Sequence, residues 1–326
     1  MHIMIIGAAG MVGTKLTQRL VADGALGGKT IDRLTLVDVN EPAAPSGIPA
    51  TCMAADLTTA GVSDRLAGLR ADVIFHLAAI VSGEAEADFD KGYLINLDGT
   101  RFLFESIRQE GLRESYCPRV VFTSSIAVFG APFPDKISDT FHNTPQTSYG
   151  TQKAICELLL ADYSRRGFFD GIGIRLPTIN VRPGKPNKAA SGFFSNILRE
   201  PLSGQPAVLP VADTVRHWHA SPRSAVEFLL HAATLDTAPL GQRRTLNLPG
   251  LSATVAEQIE ALRRVAGQKA VDLIKVEPDD TITRIVAGWP QNFDPQRAIE
   301  LGFRAESSFD EIIQIHIDDE LGGKLP

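Results

Sequence analysis

Residues 2–13 read HIMIIGAAGMVG. A run that is apolar almost throughout ends in Gly7, and Gly10 and Gly13 follow at even spacing. An unbroken apolar run bounded by glycine reads as a strand buried on both faces. From Met11 to about Asp23 the pattern turns helical. Strand, glycine turn and helix in that order form the context a dinucleotide fingerprint needs. In that context Gly7 permits the tight turn, Gly10 lets the backbone approach a pyrophosphate, and Gly13 lets helix and strand pack closely. The amides near Met11 and Val12 then face the phosphates at the positive end of the helix. The spacing is GxxGxxG rather than GxGxxG, so the flanking strand and helix carry the argument.

The same alternation continues outward. RLTLVDV (33–39), TCMAADL (51–57), DVIFHLAA (72–79), RVVFTSS (119–125) and GIGIRLP (171–177) are strand candidates. Helices are expected at about 85–110 and from Ser148 to about Arg166. Apolar strands spaced by helices define an α/β fold, a doubly wound parallel sheet covered on both faces. Ligands of such sheets bind beyond the carboxyl ends of the strands. After Pro177 the chain becomes rich in Pro, Gly, Asn and Arg, and 186–214 is too irregular to place. Further on come a helix at 223–234, a strand near 244–248, a helix at 254–266 and the segment FDPQRAIELGF (293–303). The expected division is 1–177 as the nucleotide-binding domain, with 223–250 returning to it. Residues 178–326 then form a smaller, less regular substrate-binding domain.

Composition narrows the class. The 326 residues are 44% hydrophobic and 21% charged, with a net charge of −6. That is ordinary globular composition. Lys and Arg are scattered, so no basic stripe points to nucleic acid. No run approaches the ~18 apolar residues of a membrane span. The three cysteines show neither metal-ligand spacing nor a disulfide framework, which points to a reducing cytoplasm. His217 and His219 flank Trp218 and make a poor metal pair, so no metal is expected.

The chemistry-bearing residues fall just after the strands. Asp38 ends the second strand, where a carboxylate receives ribose hydroxyls and repels a 2′-phosphate; this favours NAD over NADP. Asp56 and Leu57 follow the third strand and face the adenine end. Ala78, after the fourth, is small enough for a dinucleotide to lie against the backbone. Ser82 lies beyond it and is a candidate substrate contact. Ser125 ends the fifth strand. Tyr149 and Lys153 lie four apart, on one helix face. Oxidising an alcohol requires removal of its hydroxyl proton, and a free tyrosine, with pKa ~10, is a poor base near neutral pH. A neighbouring ammonium favours the phenolate. Ser125 would hold the substrate oxygen against Tyr149, and Lys153 would also bind the nicotinamide ribose. Asn96 is a candidate anchor for a water leading to Lys153, or simply a polar helix residue.

Taken together, GAAGMVG, Asp38, Asp56-Leu57, HLAA, NLDGT, FTSSIAVFG, Tyr149-xxx-Lys153, RLPTINVRPG and FDPQRAIELGF resemble the extended short-chain dehydrogenase/reductases. That group includes NAD-dependent sugar epimerases and dehydratases, and the resemblance covers nearly the whole chain. It implies a Rossmann domain, NAD as cofactor, and Ser125, Tyr149 and Lys153 as catalytic residues. It also implies that Thr123 and Ser124 contact cofactor and that the backbone after Pro177 holds the nicotinamide amide. A homodimer through the helices at 85–110 and 148–166 is a further implication.

Two reaction classes remain open: net oxidation of a hydroxyl, or epimerisation or dehydration with NADH reoxidised in place. The nucleotide-sugar members carry a DFxHVxD-like stretch; here VRHWHASPRSA (215–225) lacks the acidic residue. Arg182, with Lys185 and Lys188 near it, suits a small carboxylate, because a guanidinium fork matches that geometry. Arg216 suits either a substrate carboxylate or a nucleotide phosphate. The wording of the chain is similar to the members of this family that oxidise small sugar acids. A regulator that senses NAD without turnover is a third reading, and the presence of both Tyr149 and Lys153 argues against it.

Overall fold

The computed structural model describes residues 1–184 and 190–325; Lys185 and Lys188 lie outside the described residues. The chain divides into two units. The first comprises 1–128, 147–175 and 226–246, and the second 129–146, 176–225 and 247–326.

The first unit is built on a seven-stranded sheet. Its strands are β1 (His2–Ile6), β2 (Arg33–Asp38), β3 (Ala50–Ala54), β4 (Val73–His76), β5 (Arg119–Ser125), β6 (Asp170–Leu176) and β7 (Thr245–Asn247), in the order β7-β6-β5-β4-β1-β2-β3. The pairs β1–β2, β2–β3, β1–β4 and β4–β5 are parallel. The order reverses at β1, which makes the carboxyl end of β1 the switch point. The central strands are buried along their length, as their unbroken apolar runs require. The helices α1 (Met11–Asp23), α2 (Gly99–Arg113) and α3 (Ser148–Arg165) connect or cover them. Phe104 of α2 is fully buried and lies edge-on to His76 and Phe122 and tilted against Phe169.

The helix expected at 85–110 is interrupted. A short helix, Ser82–Ala87, ends at Asp88, whose backbone is extended and whose side-chain carboxylate caps the next turn, Phe89–Gly92, by accepting from the Lys91 amide. A π-helical turn, Tyr93–Asp98, then precedes α2. Apolar periodicity sees the helical face and not the extra residue of a π turn. The hairpin of Ala25–Leu26 with Lys29–Thr30 also lies where no element was expected.

In the second unit the strands Thr178–Ile179, Arg216–Ala220 and Leu251–Thr254 form one sheet. The helices Gly192–Leu202, Val255–Ala266 and Phe309–Glu320 share an apolar core that includes Phe194, Ile197, Leu262 and Ile313. Gly192–Leu202 falls inside the region that the sequence left unplaced. Residues 129–146, expected with the nucleotide-binding part, group with this unit because Ile137–Ser138 pairs in parallel with Phe293–Asp294.

Truncating Phe104 to Ala should cost about 3–5 kcal/mol, as for other fully buried aromatic groups. Urea unfolding checks this; a loss under about 1 kcal/mol would mean that the cavity collapses around the missing ring.

Candidate active site

Gly7 has φ +96°, a conformation that favours glycine, and a Cβ there would stand 2.7 Å from the Ala78 amide nitrogen. A Cβ at Gly13 would stand 2.2 Å from the Gly7 carbonyl oxygen. At these two glycines the turn, the start of α1 and the extension of β4 therefore approach backbone to backbone. Gly10 differs: its Cβ would meet only the Gly7 carbonyl oxygen, at 3.4 Å, so close protein packing does not demand glycine there. Gly10 caps α1 without a side-chain hydrogen bond, and the first turn holds no acidic residue. The amides around Met11 and Val12 thus begin a helix whose positive end is met by no acidic residue of its own first turn. Asp38, at the end of β2, accepts from the Ala9 amide at 3.0 Å. A half-buried acceptor beside an uncapped helix start fits a ribose and a pyrophosphate, so the residues present fit a dinucleotide.

Other cofactor candidates are turned inward. Asp56 Oδ1 accepts from the Thr58 amide and hydroxyl, both at 2.8 Å, and shapes the turn after β3. The Leu57 side chain lies in the core of the first unit. Thr123 Oγ1 donates to the His76 carbonyl oxygen at 3.2 Å, and Ser124 Oγ donates to Glu157. The expected cofactor contacts from these two hydroxyls give way to internal bonds, because both side chains are buried within the sheet and its covering layer. Asn96, in the π turn, accepts from the Ile80 amide at 2.9 Å and donates to Gln152 Oε1 at 2.8 Å and the Ile80 carbonyl at 3.3 Å. Both its amide hydrogens are engaged, so Asn96 braces the loop after β4.

Ser125, Tyr149 and Lys153 do come together. Thr147 caps α3 by accepting from the Gly150 amide at 3.1 Å, and the Glu86 carboxylate accepts from the Ser148 amide at 2.9 Å. These contacts fix the first turn of α3, where Tyr149 stands. Lys153, one turn on, is 2% exposed, and its Nζ donates to the Thr123 carbonyl oxygen at 2.9 Å. The ammonium lies 4.8 Å from the Phe122 ring centroid and 5.8 Å from that of Tyr149. Burial pushes the Tyr149 phenol up to about 12, and a hydrogen bond from Ser125 pulls it the other way. Lys153 was expected to lower the phenol; desolvation wins, and the opposing pull comes from Ser125. Burial also pushes Lys153 down to about 8. The neighbouring His76 is held neutral, at about 3, by burial and then by the Lys153 charge.

The substrate candidates are distributed differently. Ser82 opens a short helix beyond β4. Pro177 is buried between β6 and Thr178. Arg182 is partly buried, has no carboxylate partner among the described residues, and is made less basic by desolvation and by Arg199. Its Nη2 approaches Ser191 Oγ at 3.4 Å. Arg216 donates to the Ser252 carbonyl oxygen at 3.0 Å and pairs with Glu257 at 3.3 Å. These bonds join Arg216 to two other segments of its own unit. His217 binds the Pro290 carbonyl oxygen and the Thr178 hydroxyl through its two ring nitrogens.

Sequence reasoning missed Glu157, which is buried on α3 and bound by Arg175. Its signal was available: it lies four residues after Lys153, so a third polar group occupies a face that must be covered.

A dinucleotide cradle in the same unit as a phenol and a buried ammonium defines a nicotinamide-dependent oxidoreductase. The chain belongs to the NAD dependent epimerase/dehydratase family, whose sequence profile matches residues 3–235. NAD is accordingly its cofactor. A D-erythronate dehydrogenase of Cupriavidus necator is 47% identical over 98% of both chains. A D-erythronate dehydrogenase of Haemophilus influenzae is 44% identical over 98% of this chain and all of the other. A crystal structure of a nucleoside-diphosphate-sugar epimerase from Agrobacterium tumefaciens is 69% identical, with TM-score 0.98, over 100% of this chain and 96% of that one. No helix among the described residues is long and apolar enough to cross a membrane.

Lys153 titrates near 8 when folded and at an ordinary 10.5 otherwise. Between those values the unfolded chain binds more protons, so stability rises with pH. Relative to Lys153→Met, the wild type should gain on the order of 3 kcal/mol across that window. Urea unfolding of the cofactor-free proteins at several pH values measures the difference; a flat line would mean that the ammonium is not desolvated.

Proposed function

We propose that the protein oxidises a secondary hydroxyl of a small sugar acid, D-erythronate to 2-dehydro-D-erythronate, with NAD reduced to NADH and one proton released. The observation that carries the chemistry is Tyr149 hydrogen-bonded by Ser125 with the Lys153 ammonium beneath its ring. The substrate class is supported by two D-erythronate dehydrogenases at 47% and 44% identity over nearly the whole chain.

When bound, NAD supplies the hydride acceptor and a positive ring. The chain does the rest. Ser125 Oγ hydrogen-bonds the substrate oxygen, and Tyr149 Oη takes the hydroxyl proton as general base. Tyr149 acts in its phenolate form, which the Lys153 ammonium favours and more strongly for being buried, and taking the proton returns it to the phenol. Asp38, the glycine turn and the start of α1 hold the dinucleotide, and the Pro177 backbone holds its nicotinamide amide. Arg182 receives the carboxylate. A half-buried guanidinium with no acidic partner among the described residues is short of one anion. Ser82 hydrogen-bonds a further hydroxyl.

A nucleotide-sugar epimerase is the second reading, favoured by the name of the 69% identical structure. Under it Arg216 leaves Glu257 to hold a phosphate.

Purified protein with NAD should accumulate NADH on addition of D-erythronate and should leave UDP-sugars unchanged. Tyr149→Phe should lower kcat at least a hundredfold, the scale of general base catalysis, while still binding NAD. Arg182→Ala should raise KM for the acid with little change in KM for NAD. Interconversion of a UDP-sugar without net NADH would overturn the dehydrogenase reading.

The protein is further read as a cytoplasmic homodimer. Its three cysteines are unpaired. Phe89, Leu94 and Leu158 are exposed, on the segments that the family resemblance assigns to dimerisation. Leu158→Asp should shift sedimentation from dimer to monomer. A wild-type monomer at micromolar concentration would remove the dimer, and cell fractionation tests the compartment.

A further inference from the structure

Behind Ser125 and Lys153 lies a buried carboxylate that the hydride-transfer scheme leaves unused. Glu157 is 4% exposed. Arg175 of β6 grips it in a bidentate manner, Nε to Oε1 at 2.9 Å and Nη2 to Oε2 at 2.6 Å. Ser124 of β5 donates to the same Oε1. Glu157 itself rides α3 one turn after Lys153. One side chain thus ties the helix carrying Tyr149 and Lys153 to the strand ending in Ser125 and to the strand that leads into Pro177.

The charges around it are few. Lys153 faces the Thr123 carbonyl and the Phe122 ring from β5, His76 from β4, and Tyr149, Cys156 and Glu157 along its own helix. His76 is neutral. Cys156 and Glu157 are the neighbours that oppose the desolvation of Lys153. The Cys156 thiol is itself pushed up by burial to about 11, so it carries no charge where Lys153 titrates. Among the described residues that leaves the Glu157 carboxylate as the anionic neighbour that favours the ammonium, while Arg175 adds a second cation from β6. A buried carboxylate gripped by one guanidinium and lying one helical turn from an ammonium is costly to remove, because its partner then lies in low dielectric without it.

We propose that Glu157 is a positioning residue of this active site: its carboxylate is the buried counter-charge that keeps Lys153 an ammonium and fixes α3 against β5 and β6. The proposal rests on the Tyr149–Lys153 reading for its catalytic meaning. Its first readout needs no turnover: the rate at which an amine reagent acylates Lys153 in the cofactor-free protein, followed by peptide mass spectrometry against pH. Glu157→Gln removes the charge and keeps the shape. The labelling midpoint should fall by about one pH unit, a roughly tenfold smaller ammonium fraction on the alkaline side. The alkaline limb of kcat should move with it. Glu157→Asp and Ser124→Ala both retain a carboxylate, so both should keep the wild-type midpoint, with kcat lowered and KM for NAD unchanged. A Glu157→Gln midpoint equal to wild type would overturn the proposal. Should that variant fail to fold, a shifted midpoint in Ser124→Ala, where the charge is intact, does the same. If the labelling shifts as expected but no sugar acid is oxidised, the functional reading fails and the role of Glu157 toward Lys153 stands.

Discussion

A lysine ammonium inside a protein must be surrounded by groups that replace water, and this requirement organises the first unit. Lys153 is almost wholly buried, yet it has one carbonyl acceptor, two aromatic faces and a carboxylate one turn away. Each comes from a different place in the chain: the acceptor from β5, the carboxylate from α3, and the arginine that steadies the carboxylate from β6. The sheet order puts β5 and β6 side by side, and α3 packs near β5. A fold that brought these strands together in another order would strand the charge.

The same order explains why chemistry collects at the carboxyl ends. Parallel strands that are apolar along their length leave polar residues no place except their ends. Asp38, Ser125 and the glycine turn after β1 are the cases in point. At the glycine turn the packing is backbone against backbone, and the Gly13 contact leaves no room for even one methyl group. Gly10 is free of that constraint, so the packing of the turn does not account for a glycine there.

Much of the strand layout was legible because its signal is local: long apolar runs, glycine at the turn, a helical stretch from Ser148. The π turn at Tyr93–Asp98 was not, because a single inserted residue leaves the apolar face intact while turning Asn96 inward. The helix Gly192–Leu202 was hidden by Pro201 near its end and by the absence of a side-chain cap. Residues 129–146 read as part of the nucleotide-binding half because they are adjacent to it in sequence. Their partner strand, Phe293–Asp294, is far along the chain, and no local pattern announces that pairing.

The site divides in the same way. That Tyr149 and Lys153 share a helix face follows from spacing alone, and that Ser125 ends a strand follows from the apolar run before it. Whether a hydroxyl near them faces a ligand or the protein depends on what packs opposite. Ser124 and Thr123 turned inward because Glu157 and the His76 carbonyl lie there. Arg216 found Ser252 and Glu257, whereas Arg182 met another arginine. Residue type and order determined which groups this protein possesses and along which elements they run. Only the tertiary structure decided which are engaged and which are left to bind, because a hydrogen bond or ion pair is a property of two groups, and the second lies tens of residues away.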